Sequence, residues 1–248
     1  MTEAPPPAFY ARVGGRRADW WTLLHPPYTL WHLSYPVLGA CLAPRVDGWV
    51  LGATALAFFL AVGVAAHALD ELNDRPLRTA IPDRTLTAAA GLGLAAALGL
   101  GIAVLPHSGL VLIPFMVLGV VLVLGYNLEL FGGRLHTDLS FAAAWGGFPV
   151  AVGFVAQAPP LTAATSGSAA AAVLAATALS YAQRCLSTPA RTLRRRTARI
   201  EGALTFDDGS RQVLDRDTLL APLERTLRAL SRAVPLLALA ALLARAPR

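Results

Sequence analysis

Apolar residues in this chain run in long uninterrupted blocks, and the charges are held between the blocks. A bilayer core takes about 20 apolar residues of helix to cross, fewer where the end residues snorkel. On that criterion, blocks at 28–44, 48–67, 88–105, 109–126, 139–157 and 167–183 predict membrane spans. A seventh block at 220–244 is weaker, because Arg225, Arg228 and Arg232 recur along its first half and only Ala233 to Ala244 is cleanly apolar. That first half predicts an amphipathic helix lying in the interface before the chain dips into the membrane. The expected fold class is all-α, a polytopic transmembrane bundle of six to seven helices. Within 191–219, "TFDDGSRQV" predicts a small β-hairpin, with Asp-Gly supplying the turn between short alternating strands.

Composition supports this reading. Of 248 residues, 55% are hydrophobic and only 15% charged, and the mean hydropathy is +0.54, outside the usual make-up of a soluble domain. The formal net charge is +6, and every basic residue is arginine, which leaves no lysine for Schiff-base chemistry or a P-loop. The arginine excess reports membrane topology rather than nucleic-acid binding, so no nucleic acid is expected as a partner. Cys41 and Cys185 lie in or beside apolar runs, too few and isolated for a disulfide framework, and read as small buried residues. Residues 1–27 hold three consecutive prolines, several arginines and two tryptophans before any hydrophobic run, which argues against a cleavable signal peptide.

The arginines also set an orientation. Arg12, Arg16 and Arg17, then Arg75, Arg78 and Arg84, then Arg134, then the cluster from Arg184 to Arg199 fall on one side of the predicted bundle. The opposite connections hold Arg45, "PHSG" and the uncharged "QAPPLTAATSGS". By the positive-inside rule this is a multi-pass protein of the cell membrane with a cytoplasmic N-terminus. The organisation expected is a cytoplasmic segment at 1–27, the bundle at 28–190, a cytoplasmic arginine-rich loop at 191–219 and a C-terminal helix at 220–248. Trp20, Trp21 and Trp31 read as interfacial anchors. Loops 67–87, 127–138 and 184–219 would then meet on the cytoplasmic face.

The densest chemistry is "AHALDELNDRPLRTAIPDRTL", residues 66–86, directly after the uncharged run from Trp49 to Ala66. If the second span continues as a helix, Asp70 and Asp74 at i, i+4 share a face, and His67 joins it. Like charges at a bilayer boundary need an offset, and a divalent cation such as magnesium, held by one or two carboxylates plus substrate phosphates, supplies one. Pro76 and Pro82 end the helix, and Arg78 and Arg84 bring guanidinium forks that match phosphate oxygens. Acids that hold a metal, beside arginines that hold phosphate, at the mouth of an apolar cavity predict a ligand with a diphosphate head and a greasy tail. Interhelical ion pairs, for instance of Asp70 or Asp74 with Arg184, use the same residues without any ligand.

These residues resemble the UbiA-type intramembrane prenyltransferases, whose first motif is N-D-x-x-D-x-x-x-D followed by a loop of the form R-T-x-R-P-L. In "AHALDELND", Asp70 and Asp74 match the third and fourth motif positions, with Ala66-His67 in place of Asn-Asp. In "RTAIPDRTL", Arg78, Thr79 and Pro82 match the loop. "LGYN" at 124–127 is similar to the family's tyrosine at a helix end, "TDLSFAAAWGGFPVAVGFVA" to its fifth helix, and "HPPYTLWHLSYPVLGACLA" to its first span. The likeness covers about 25–190. The place of the family's second acidic motif reads "SYAQRCLSTPARTLRRR" and holds no acid.

The resemblance implies a prenyltransferase-like bundle that moves an isoprenyl group from a prenyl diphosphate to a lipophilic acceptor, such as a quinone precursor or other ring, with Mg2+ as cofactor. Asp70 and Asp74 would hold magnesium, Arg78 with Arg84 or Arg184 would clamp the diphosphate, and Tyr126 would face the allylic cation. His67 reads as a hydrogen-bonded helix residue, a metal ligand in place of the missing Asp, or a base. Asn127, Glu129 and Asp138 are further candidates, the two acids as replacements for the absent second motif. A non-catalytic isoprenoid- or quinone-binding member of the family, or a membrane partner of an enzyme, is the alternative. A transporter ranks below both, because no predicted span carries an acid at mid-membrane.

Overall fold

The computed structural model describes residues 7–130, 132–134 and 136–245. Helix α1 (Gly15–Leu23) is short. It is followed by α2 (Pro26–Cys41), α3 (Gly48–Leu72), α4 (Asp83–Ser108), α5 (Leu112–Asn127), α6 (Asp138–Ala156) and α7 (Ala163–Arg195). A hairpin of β1 (Ala203–Thr205) and β2 (Arg211–Val213) then leads into α8 (Arg216–Leu243).

Helix starts follow local chemistry. Pro26 occupies the first turn of α2, where its missing N–H leaves nothing unsatisfied. Asp47 caps α3 by accepting from the Trp49 and Val50 amides, Thr162 and Thr165 form a capping box on α7, and Asp215 caps α8. Five helices, α3, α4, α6, α7 and α8, are long and apolar enough to cross a membrane, and α5 is apolar but shorter. The molecule is a helical-bundle membrane protein. The expected hairpin is present, with Ala203 opposite Val213 and Thr205 opposite Arg211, and Gly209 takes the positive φ of +81° that its turn requires.

Four expectations are corrected. The C-terminal block is one unbroken helix, not an interfacial piece followed by a dip. Its buried residues Leu220, Glu224, Leu227, Ser231, Val234 and Ala238 recur at alternating spacings of four and three. That single stripe lies against α2 and α7 along the whole helix. The block at 167–183 extends to Arg195, so Arg184, Arg191, Arg194 and Arg195 belong to the last turns of α7 and not to a loop. Trp31 is no interfacial anchor: it is fully buried and donates its indole N–H to the Tyr35 hydroxyl at 2.6 Å. Cys185, expected to be buried, is exposed, whereas Cys41 is buried as expected.

The tightest crossing is α2 on α6. A Cβ on Gly39 would lie 2.1 Å from the Val150 carbonyl oxygen, and one on Gly153 would lie 2.1 Å from that of Pro36. Only glycine permits backbones to approach this closely. Two helices also widen locally into π-helical turns, α3 over Phe59–Ala66 and α6 over Ala143–Gly147. Such bulges re-aim the side chains that follow, and they recur at functional sites. Here they precede His67 and contain Trp145.

Candidate functional site

A polar cavity of about 190 Å³ opens at the end of the bundle that carries the arginines. The last turns of α3 supply His67 and Asp70, and the end of α5 supplies Tyr126 and Asn127. Phe141 and Trp145 of α6 form one wall, and Arg184, Arg191, Arg194 and Arg195 of α7 form another. Phe9 and Tyr10, on the segment before α1, close over it. This segment is tied down by an Arg195 Nε–H donated to the Pro7 carbonyl at 3.1 Å and by Arg228 stacked 4.8 Å over the Phe9 ring.

The cavity is electrostatically positive. Of its arginines, Arg194 is paired with Glu224, which also lies 3.5 Å from Arg228. Arg184 donates to Asp138 at 2.7 Å and stacks 4.9 Å over Phe141. Arg191 and Arg195 have no carboxylate partner among the described residues. They act electrostatically on Asp70, whose own carboxylate makes no hydrogen bond or ion pair among the described residues. Arg184, Arg191 and Arg195 stand at i, i+7 and i+11, which stacks them on one face of α7. Together they form a row of forked donors facing one free carboxylate.

A second cavity of about 110 Å³ lies deeper between α3, α4, α5 and α6. Its walls are apolar, including Phe58, Leu94, Ala97, Phe115, Gly119 and Phe148. Trp145 lines both cavities. Its indole is packed 4.9 Å from Tyr126 and 5.8 Å from Phe141 between ring centres, and Tyr126 stacks on His136 at 4.4 Å. An aromatic wall therefore stands where the polar chamber meets the apolar one.

Several histidines enter the polar chamber. His67 has Nδ1 3.0 Å from the Gly63 carbonyl, and its ring stacks on His25 at 4.2 Å. His32 has Nδ1 2.9 Å from the Trp145 carbonyl. His25 sits at the start of α2, outside the spans, with its Nε2 buried and unpartnered. Burial, reinforced by His67, drives its pKa well below the ordinary value. Burial first, and then the neighbouring Tyr28, raises that of Tyr10.

The structure gathers Asp70, Tyr126, Arg184, His67 and Asn127 from the sequence candidates and leaves out the others. Helix α3 stops at Leu72, because Asn73 is extended and Asp74 takes a φ of +66°. Asp74 is exposed, is not among the cavity-lining residues, and shares no helical face with Asp70. Arg78 and Arg84 are exposed and also lie outside it, Arg84 in the first turn of α4. Glu129 is exposed with His136 Nδ1 3.8 Å away, and Asp138 is committed to Arg184.

Glu71, which the sequence did not single out, explains the loop. It is fully buried and accepts from the Leu77 amide (2.9 Å), the Thr79 amide (2.8 Å) and the Thr79 hydroxyl (2.9 Å). Arg75 closes the same loop by donating to Ile81 O and pairing with Asp83. These bonds fold residues 73–82 back on themselves and carry Asp74 and Arg78 away from Asp70.

A pair of carboxylates for magnesium is therefore not assembled, and no group of three His, Cys, Asp or Glu is arranged around a metal position among the described residues. Asp70 alone, facing a phosphate-matching row of arginines, still fits the habit of magnesium, which takes one or two protein carboxylates with substrate phosphates and water. His32, Arg191 and Arg195 were missed. The spacing of the arginines on α7 could have found them; His32 carries no sequence signal of its own.

Together these features define a polytopic α-helical membrane protein with an arginine-lined chamber at one end of the bundle and an apolar chamber beside it. No family model, curated protein or solved structure matches the chain.

Proposed function

We propose that the protein is an intramembrane prenyltransferase of the UbiA type, moving an isoprenyl group from a prenyl diphosphate to a lipophilic acceptor. The observation that carries this reading is the sharing of Trp145 by two chambers of opposite character, one basic and one apolar. A donor with a charged head and a greasy tail matches that division. The resemblance of "LDELND" and of "RTAIP" to the family's motifs adds to it. The protein sits in the cell membrane with its N-terminus and basic chamber on the cytoplasmic side, a reading supported by the distribution of arginine.

In this reading Arg191 and Arg195, with Arg184 aimed by Asp138, grip the diphosphate. The tail lies in the apolar chamber, and the allylic carbon rests against the aromatic wall. As its bond to the diphosphate oxygen breaks and the electron pair leaves with the phosphate, the arginines stabilise the departing charge. The faces of Tyr126, Phe141 and Trp145 stabilise the carbon's positive charge. Magnesium, held through Asp70, would supply Lewis-acid neutralisation of the leaving group.

Purified full-length protein given labelled prenyl diphosphates of several lengths, magnesium and a panel of lipophilic acceptors tests this. Transfer should occur and should be lost in Asp70→Asn and in Arg191→Ala. Absence of transfer, or full activity in both variants, overturns it. The exposure of Asp74 outside the chamber favours a second reading, a non-catalytic binder of an isoprenoid or quinone lipid. Native mass spectrometry showing a copurified lipid retained in chelator would support that one instead.

A further inference from the structure

We propose that His32 is the proton acceptor of the transfer reaction, and that the lipophilic acceptor is therefore one that delivers a hydroxyl proton to its Nε2. The inference rests on the prenyl-transfer reading and assigns a residue and an acceptor chemistry that the reading leaves open.

The argument starts from a tautomer. His32 Nδ1 lies 2.9 Å from the Trp145 carbonyl oxygen. A carbonyl only accepts, so Nδ1 must carry the hydrogen, and the neutral ring presents a bare lone pair at Nε2. That Nε2 has no hydrogen-bond partner among the described residues, and the ring lines the polar chamber. His32 is 5% exposed, so its ring is shielded from bulk water where it lines the chamber.

Position gives the lone pair its use. Trp145 is the residue that lines both chambers, and its carbonyl belongs to the π-helical turn Ala143–Gly147 of α6. With the diphosphate on the arginines and the tail in the apolar chamber, the reacting carbon lies at that boundary. His32 is bonded to the residue that marks it. Its ring is flanked by Phe141, 5.8 Å away between centres, and by Tyr35 at 6.1 Å. His67 has the same kind of fixed tautomer, but it hydrogen-bonds within its own helix and stacks on His25, one turn from Asp70 at the head-group end.

The step balances without another reagent. The hydroxyl proton passes to Nε2 as the oxygen forms its bond to the prenyl carbon. The carbon's bond to the diphosphate breaks, and the electron pair leaves with the diphosphate. Turnover is completed when the imidazolium releases its proton. Phenols and lipophilic alcohols are the matching acceptors.

His32→Asn separates this role from a merely structural one, because the asparagine amide can keep the bond to the Trp145 carbonyl but has no basic nitrogen. In full-length protein, the variant should unfold at the wild-type temperature and bind a prenyl diphosphate as the wild type does, while kcat falls about 10²- to 10⁴-fold. Along a series of ring-substituted phenols the loss should shrink as the hydroxyl becomes more acidic, and added imidazole should restore part of the rate in His32→Ala. Wild-type turnover in His32→Asn overturns the assignment, as does an equal loss across the series without rescue by imidazole. A wild-type protein that binds the donor yet prenylates no acceptor overturns the transfer reading itself, and the assignment with it.

Discussion

The guanidinium of Arg184 donates through Nε to Asp138 Oδ1 at 2.7 Å, joining the lower part of α7 to the first turn of α6. The pair leaves the outer nitrogens of Arg184 free to face the chamber, so Asp138 acts as an aiming device. Asp138→Asn keeps an acceptor but removes its charge. We expect prenyl diphosphate affinity to fall about 3- to 10-fold, in line with the modest worth of a partly exposed ion pair. Titration of a fluorescent donor analogue would check this, and an unchanged affinity would show that Arg184 needs no such support.

Glu71 makes a stability prediction. Glu71→Ala leaves the amides of the buried Leu77 and Thr79, and the Thr79 hydroxyl, without their acceptor. An unmet buried donor costs about 1–3 kcal/mol. Thermal unfolding in detergent should show a clear fall, and limited proteolysis should cut within 73–82, where the wild type resists.

The crossing of α2 and α6 should tolerate no side chain. Gly39→Ala and Gly153→Ala drive a methyl into backbone 2.1 Å away, and overpacking of this kind costs about 1–3 kcal/mol or more. Gly91→Ala and Gly99→Ala are the controls, since nothing lies within 4 Å of either added carbon. They should be neutral or slightly stabilising by helix propensity. Expression level and unfolding temperature of the four variants decide the matter.

Chain-length preference should respond to the apolar chamber. Ala97→Phe fills part of its about 110 Å³ from α4 without touching the arginines. Transfer from short donors should persist while transfer from long ones falls about tenfold or more. Equal transfer of all lengths would place the tail elsewhere.

His25 makes stability pH-dependent. Its folded pKa lies well below the ordinary value of 6.5, so below that pH the unfolded chain binds a proton that the folded protein refuses. Stability then rises with pH where the unfolded state holds more protons. The His25 contribution is complete above about pH 6.5 and is lost as pH falls from there toward the folded pKa. Unfolding temperatures measured from pH 7.5 down to 5 should fall less steeply in His25→Asn, which tolerates the left-handed backbone at this position, φ +46°.

Much of the architecture is legible in the sequence, because a bilayer imposes a length and a polarity that block composition reports directly. Five of the predicted spans and the hairpin at Asp208-Gly209 follow from such local rules, whereas the block predicted to span at 28–44 forms α2, which is not among the described helices long and apolar enough to cross a membrane. The site was legible only in part. Asp70, His67, Tyr126, Asn127 and Arg184, singled out from helical spacing and the family resemblance, all line the chamber. Asp74 was misjudged because an i, i+4 spacing shares a face only while the helix lasts, and Glu71 ends that helix by capturing amides from residues six to eight positions later.

The sequence by itself determined that this is a membrane-spanning helical bundle with most of its arginines gathered at one end, since hydrophobic length and charge placement are properties of consecutive residues. Tertiary structure alone decided which of those charges meet. The long α7 lifted Arg191 and Arg195 out of an expected loop and set them facing Asp70. The close α2–α6 crossing brought His32 to the carbonyl of Trp145, 113 positions away. Contacts at that separation depend on how helices pack, a many-body outcome of side-chain shape that no stretch of sequence carries within itself.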